Sequence, residues 1–294
     1  MKIRPHKETA AQTRIEASAF TSALYLATVR ILYSLCRQVW FQNIQRKEER
    51  YHRLVDRFLA EIKYPAEMWG DFRTRGLQAT LAGNIWGRHL ISAAPVVVEG
   101  GDYLQQARAS SRGVILARFH QKLAKIDSAS PLAAWIAREQ RDSGFIVGAR
   151  RNTSHDTAEN ILNARDLVDA RRILKRGGIV QIVPDGYVGQ QGVAVNFFGR
   201  MRNFRKGFAE LAVLTQAPVL PIHLLFKTDG TIVIKIHPAL RVPQGLSHEK
   251  QIENLIQQYA AVLGRFWTSN PHMIIRHHIK KHMGVELDPG EDPD

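Results

Sequence analysis

Between residues 178 and 212 the chain reads GIVQIVPDGYVGQQGVAVNFFGRMRNFRKGFAELA, and the start of that stretch sets narrow bounds on the fold. The apolar run 179–183 is β-branched and too short for a helix, with Gly177-Gly178 before it and Pro184-Asp185-Gly186 after it. Such a run reads as a buried strand, and this one ends by delivering a carboxylate, Asp185. A second apolar run, 193–198, stops at Gly199. Arg200, Arg202, Arg205 and Lys206 follow, ahead of a helical pattern at 208–212. Cations packed against a helix start form an anion site, because free N–H groups and the helix dipole add to the side-chain charge. Gly199 and Gly207 beside them let a backbone approach a ligand closely. Phosphate held by Arg200, Arg202, Arg205, Lys206 and Gly207 is the expectation.

Further strands are expected at 95–98, 113–119, 144–147, 218–226 and 231–236, the last two joined by a hairpin turn at Thr228-Asp229-Gly230. Helical patterns fall at 102–110, 131–139, 157–175 and 251–266. The clearest, 157–175, carries Ile161, Leu162, Leu167, Val168, Ile173 and Leu174 and stops at Gly177-Gly178. Strands alternating with helices, plus one hairpin, place the chain in the α/β class, with a mixed, mostly parallel central sheet of about seven strands flanked by helices. Residues 1–92 are expected to form an N-terminal helical region, 93–282 the α/β domain, and 283–294 a disordered acidic tail. The glycines of 186–192 have the wrong spacing for a nucleotide loop.

Charge narrows the partners. A net charge of +14 calls for something anionic: nucleic acid, an anionic bilayer or an acidic protein. No nucleic-acid recognition motif is visible, and aromatics are not interleaved with the basic clusters as a base-stacking platform requires. The single cysteine, Cys36, excludes a disulfide framework and a Cys-based zinc site. His272, His277, His278 and His282 lack a carboxylate or thiolate at useful spacing, so they read as a basic surface segment and no metal is expected. The apolar stretch 17–36 has the length of a membrane span, about 20 residues, but Arg30 lies within it. A charge there costs ~2.5–3.5 kcal/mol on insertion. An interfacial or core-packed helix, reaching to about residue 41, is therefore read ahead of a true span, with Trp40, Phe41, Arg46 and Lys47 as an aromatic-then-basic flank.

His120 closes the strand at 113–119, where active-site residues of open α/β sheets collect. An imidazole there can act as a general base, since its ordinary pKa lies near working pH. The ordered blocks R-G-V-I-L-A-R-F-H (112–120), P-D-G (184–186), F-F-G-R (197–200) and F-R-K-G-F-A-E-L-A (204–212) resemble the bacterial lipid A biosynthesis acyltransferases of the lauroyl/myristoyl type, and more distantly the glycerolipid acyltransferases. The resemblance runs over roughly 95–278. It implies an acyltransferase at the cytoplasmic face of the bacterial inner membrane, held peripherally or by a single N-terminal anchor. It further implies acyl carrier protein or acyl-CoA as donor, an anionic membrane lipid such as a lipid A precursor as acceptor, no cofactor, no nucleic acid and a monomer.

In that family His deprotonates the acceptor hydroxyl, and an acid five residues later orients the imidazole. Here Lys125 occupies the acid's position, so the acid is relocated to Asp127 or to Asp185, or the fold is kept for non-catalytic lipid or carrier binding. Arg141 resembles the family's substrate-positioning arginine, and Phe197 and Phe198 are candidates for the acyl groove.

Overall fold

A computed structural model describes residues 13–15, 19–38, 49–85, 94–109, 112–122, 145–146, 164–186 and 192–285. Asp127, Arg141 and Lys125 lie outside the described residues, as do the helix expected at 131–139 and the tail beyond Val285.

Seven strands form the central sheet: β1 (Thr13–Ile15), β2 (Val96–Glu99), β3 (Val114–Arg118), β4 (Phe145–Ile146), β5 (Ile179–Ile182), β8 (Val219–Phe226) and β9 (Ile232–Ile236), in the order β1-β2-β9-β8-β3-β5-β4. Five are substantial; β1 and β4, of 3 and 2 residues, trim the edges. The contacts β2–β9, β3–β8, β3–β5 and β4–β5 are parallel, and β1–β2 and β8–β9 antiparallel. The sheet is mixed and mostly parallel, as the alternation of strands and helices dictates.

β3, β5 and β8 are all but wholly buried along their length, which is why they read as unbroken apolar runs rather than alternating ones. Because they are parallel, their C-terminal ends meet on one edge. The chain leaves β3 towards β5 and later returns on the other side at β8, so His120 and Asp185 both emerge at a topological switch point.

The helices are α1 (Ala19–Arg37), α2 (Glu49–Glu61), α3 (Trp69–Ile85), α4 (Gly101–Arg108), α5 (Ala164–Lys175), α6 (Gly207–Thr215), α7 (His248–Ser269) and α8 (Arg276–His282). α7 begins where Ser247 accepts from the Lys250 amide, and it buries Leu255, Tyr259, Leu263, Phe266 and Trp267. The N-terminal region expected to be helical also supplies, at Thr13–Ile15, the edge strand that pairs with β2.

α1 docks on the sheet rather than standing apart. Tyr25 and Val29 are buried in the same core as the strands, and the Tyr25 hydroxyl donates to the Gly230 carbonyl at 2.8 Å. Gly230 turns the β8–β9 hairpin at φ +89, and a Cβ there would stand 2.8 Å from Val29 Cγ2, so the turn and the docking both need glycine. Among the described residues no helix is long and apolar enough to cross a membrane.

The largest departure concerns the residues after Gly192. β6 (Gly192–Phe197) and β7 (Arg200–Arg205) form a separate antiparallel hairpin closed by Phe198 and Gly199, both at positive φ, as a two-residue type I′ turn demands. The stretch 200–205, read as a run of cations leading into a helix, is instead a strand with Arg202 and Phe204 inward and Met201 and Asn203 outward.

Candidate active site

The site is built where β3 and β5 end. After β3 residues 120–122 are held on four sides by backbone and side-chain bonds. The His120 amide donates to both carboxylate oxygens of Asp185, at 3.1 and 3.0 Å. The Gln121 amide group, oriented to satisfy both its ends, pairs with the backbone of Leu224 on β8. The Lys122 amide donates to Met273 O at 2.7 Å, and Lys122 Nζ to Gly76 O on α3 at 3.0 Å. Burial pushes the Lys122 ammonium pKa down to about 8.

The imidazole that results is half-buried, with Nδ1 2.7 Å from Asp185 Oδ1. Asp185 is 0% exposed. A carboxylate only accepts, so His120 Nδ1 carries the proton and Nε2 presents its lone pair. This is the arrangement of a general base with its orienting acid. Of the two acids the sequence offered, Asp185 is in contact with His120, and Asp127 lies outside the described residues.

The cations sort into two groups. Arg205 is at the site. A Cβ on Gly186 would lie 3.4 Å from both the Arg205 guanidinium carbon and His120 Cε1, so guanidinium and imidazole face each other across the Pro184-Asp185-Gly186 turn. The Arg205 amide also donates to Pro184 O at 3.1 Å. Gly207 opens α6 directly after, and Lys206 pairs with Glu210 at 3.0 Å along that helix. The other two belong elsewhere. Five residues of extended strand separate Arg200 from Arg205, about 17 Å, and Arg200 grips Glu61 with two bonds, at 2.6 and 2.8 Å. Arg202 is buried, its guanidinium 5.0–5.3 Å from the ring centres of Phe197, Phe204 and Trp267, and its Nη2 donates to the Asp185 carbonyl at 2.5 Å.

Phe197 and Phe198 are likewise packed. Phe197 meets Trp267 at 4.9 Å and Phe204 at 5.7 Å between ring centres, and Phe198 stacks on Trp267 at 6.2 Å. They anchor the hairpin to α7.

The C-terminal histidines overturn the reading of a basic surface segment. His272, His277, His278 and His282 are all buried. His278 is 0% exposed, with its ring centre 5.0 Å from that of His120 and its Nδ1 3.9 Å from Asp185 Oδ2. Burial, then the neighbouring His120, Arg202 and His277, hold its pKa well below the ordinary value, so it is neutral. Ile275, Ile279 and Met283 recur every four residues. That spacing was the available signal that α8 turns a face inward, carrying His278 and His282 with it. His282 donates to Glu61 at 2.9 Å, beside Arg200.

An open cavity of about 480 Å³, lined by Arg112, Pro218 and Val242 among others, lies at the opposite end of β3 and β8 and is separate from this site. Among the described residues no group of three or more potential metal ligands occurs.

The pattern of the bacterial lipid A biosynthesis acyltransferases matches residues 79–275. Among solved structures, the 1-acyl-sn-glycerophosphate (LPA) acyltransferase PlsC from Thermotoga maritima aligns with 14% identity over 86% of this chain and 98% of its own, with a TM-score of 0.31. No curated protein sequence matches the chain.

Proposed function

The chain belongs to the bacterial lipid A biosynthesis acyltransferase family, and from that premise we propose that it moves a fatty acyl group from a thioester of acyl carrier protein or coenzyme A to a hydroxyl of a lipid A precursor or related lipid, with His120 as general base and Asp185 as its acid. The observation that carries this is the 2.7 Å contact between His120 Nδ1 and Asp185 Oδ1.

His120 Nε2 takes the proton of the acceptor hydroxyl as its oxygen attacks the thioester carbonyl, forming the C–O bond. The tetrahedral intermediate collapses, the C–S bond breaks, and the imidazolium returns its proton to the departing sulfur. Asp185 keeps Nδ1 protonated and balances the charge that His120 gains. Arg205, across Gly186 from the imidazole, is suited to an acceptor phosphate or to the oxyanion, with the first amides of α6 beside it. The work takes place at the surface of an anionic bilayer, which the net charge of +14 would attract. The alternative, a non-catalytic binding protein, rested on Lys125 at the motif's acid position. Asp185 within hydrogen-bond reach of His120 favours a working enzyme.

The test is thioester consumption by purified protein, given acyl carrier protein or coenzyme A donors and a bacterial lipid extract. His120→Ala and Asp185→Asn should each lower kcat by about 10²–10⁴. Equal turnover in wild type and His120→Ala would sink the mechanism.

A further inference from the structure

Asp185 shares its pocket with a buried guanidinium, and that raises a question of electrostatics. In a site closed to water an arginine and a carboxylate attract each other strongly, and a bidentate pair between them is the usual result. An Asp185 carboxylate committed to Arg202 would have little charge left to support an imidazolium at His120. The structure shows a different arrangement. Arg202 Nη2 donates to the carbonyl oxygen of Asp185, not to its side chain, and lies 3.4 Å from His278 Nδ1. The same His278 nitrogen is 3.9 Å from Asp185 Oδ2. His278 therefore faces guanidinium and carboxylate with one atom.

The tautomer follows from the partners. A guanidinium only donates, so His278 Nδ1 accepts and the ring proton is on Nε2. A neutral acceptor there engages the arginine without competing for the Asp185 carboxylate, whose close contacts go to the amide and Nδ1 of His120. Among the described residues, the titratable and charged groups facing His278 are His120, Asp185, Arg202 and its neighbour His277, and burial together with the three cationic or basic groups keeps it uncharged. The ring is held by α8, which begins at Arg276 and buries His277, His278 and Ile279.

Resting on the acyltransferase reading above, we propose that His278 is a positioning residue: a neutral spacer that diverts Arg202 to the Asp185 backbone and so reserves the Asp185 carboxylate for His120. Arg202 then fixes the Pro184-Asp185-Gly186 turn through the main chain, with three aromatic rings packed around its guanidinium.

The test reads the His120–Asp185 hydrogen bond directly, through the low-field proton resonance of His120 Nδ1–H in ¹⁵N-histidine-labelled protein, alongside kcat and KM. Wild type and His278→Asn, whose amide oxygen can replace the ring acceptor, should both show the resonance. His278→Ala, which lets Arg202 turn to the carboxylate, should lose it or move it upfield, and kcat should fall about 10- to 100-fold with KM unchanged. The double variant Arg202→Met/His278→Ala should regain the resonance and turn over faster than His278→Ala, because the competing cation is gone, while staying below wild type for want of the Arg202 bond to the turn. His278→Val, apolar and nearer in volume, replaces the alanine variant if that does not fold. Retention of the resonance in His278→Ala, or a double variant no better than the single one, would overturn the proposal. Failure of the acyltransferase reading would show separately, as wild-type turnover that does not depend on His120, while the resonance still decides the role of His278.

Discussion

Gly186 lies between the Arg205 guanidinium and the His120 ring. A Cβ added there meets the Arg205 guanidinium and His120 Cε1 at 3.4 Å, which is ordinary contact, so Gly186→Ala should cost little activity. Gly186→Val adds two methyl groups at the same place and must push the imidazole or the guanidinium aside. A displacement near 1 Å is worth about tenfold or more in kcat, and we expect that loss with secondary structure intact by circular dichroism. Turnover of Gly186→Val equal to wild type would mean that nothing reacts in this gap. At this scale the sequence was informative about His120 and Asp185, because each ends an apolar run flanked by turn residues. It was silent about their contact, which depends on the parallel pairing of β3 and β5. His278 was read as part of a basic surface segment because RHHIKKH is locally polar, and its burial comes from packing across the chain.

Among the elements, the clasp at Glu61 holds three together. Its carboxylate, at the end of α2, takes two bonds from Arg200 at the tip of the β6–β7 hairpin and one from His282 on α8. The Arg200 bonds hold the Glu61 carboxyl below the usual range. Glu61→Gln breaks the bidentate pair in a partly exposed setting, so the loss should be about 1–2 kcal/mol in urea unfolding. No change would show that aromatic packing alone seats the hairpin.

α1 supports a second expectation. Its inward face is spent on the β8–β9 turn, while Leu24 and Ile31, 54% and 61% exposed, sit seven residues apart on the outward face with Ala27 between them. On the proposed membrane-surface reading, a helix so docked would lie along a bilayer rather than through it. Leu24→Glu with Ile31→Glu should weaken sedimentation with anionic phospholipid vesicles by at least about tenfold. Unchanged binding would move the membrane contact elsewhere. The elements that sequence made legible are those whose pattern matches their burial: β3, β5, β8, β9 and α7. β7 was missed because its inward position 202 is an arginine, so the alternation that marks a strand reads as a basic loop.

For the whole molecule the buried histidines set the response to acid. His223 and His278 are held well below the ordinary value, His237 and His282 to about 4 and His272 to about 3, in every case first by burial. Each is neutral in the folded protein at a pH where the unfolded chain, with histidine near 6.5, is already protonated. Their contribution to stability is therefore complete above about pH 6.5 and falls as pH drops towards the folded values. Within that window each histidine can cost up to about 1.4 kcal/mol per pH unit, and five act together. Self-repulsion grows in the same direction, since the chain already carries +14 before any histidine is charged. Unfolding midpoints measured in urea between pH 7.5 and pH 5 should be level in the upper half of that range and then drop steeply, with a slope of several protons. His223, buried, stacked on Phe119 and 3.1 Å from His237, offers the cleanest check. Replacing His223 by Phe removes one titrating group while keeping a ring against Phe119, so the slope should fall by about one proton. A slope unchanged in that variant would assign the acid sensitivity to carboxylates instead.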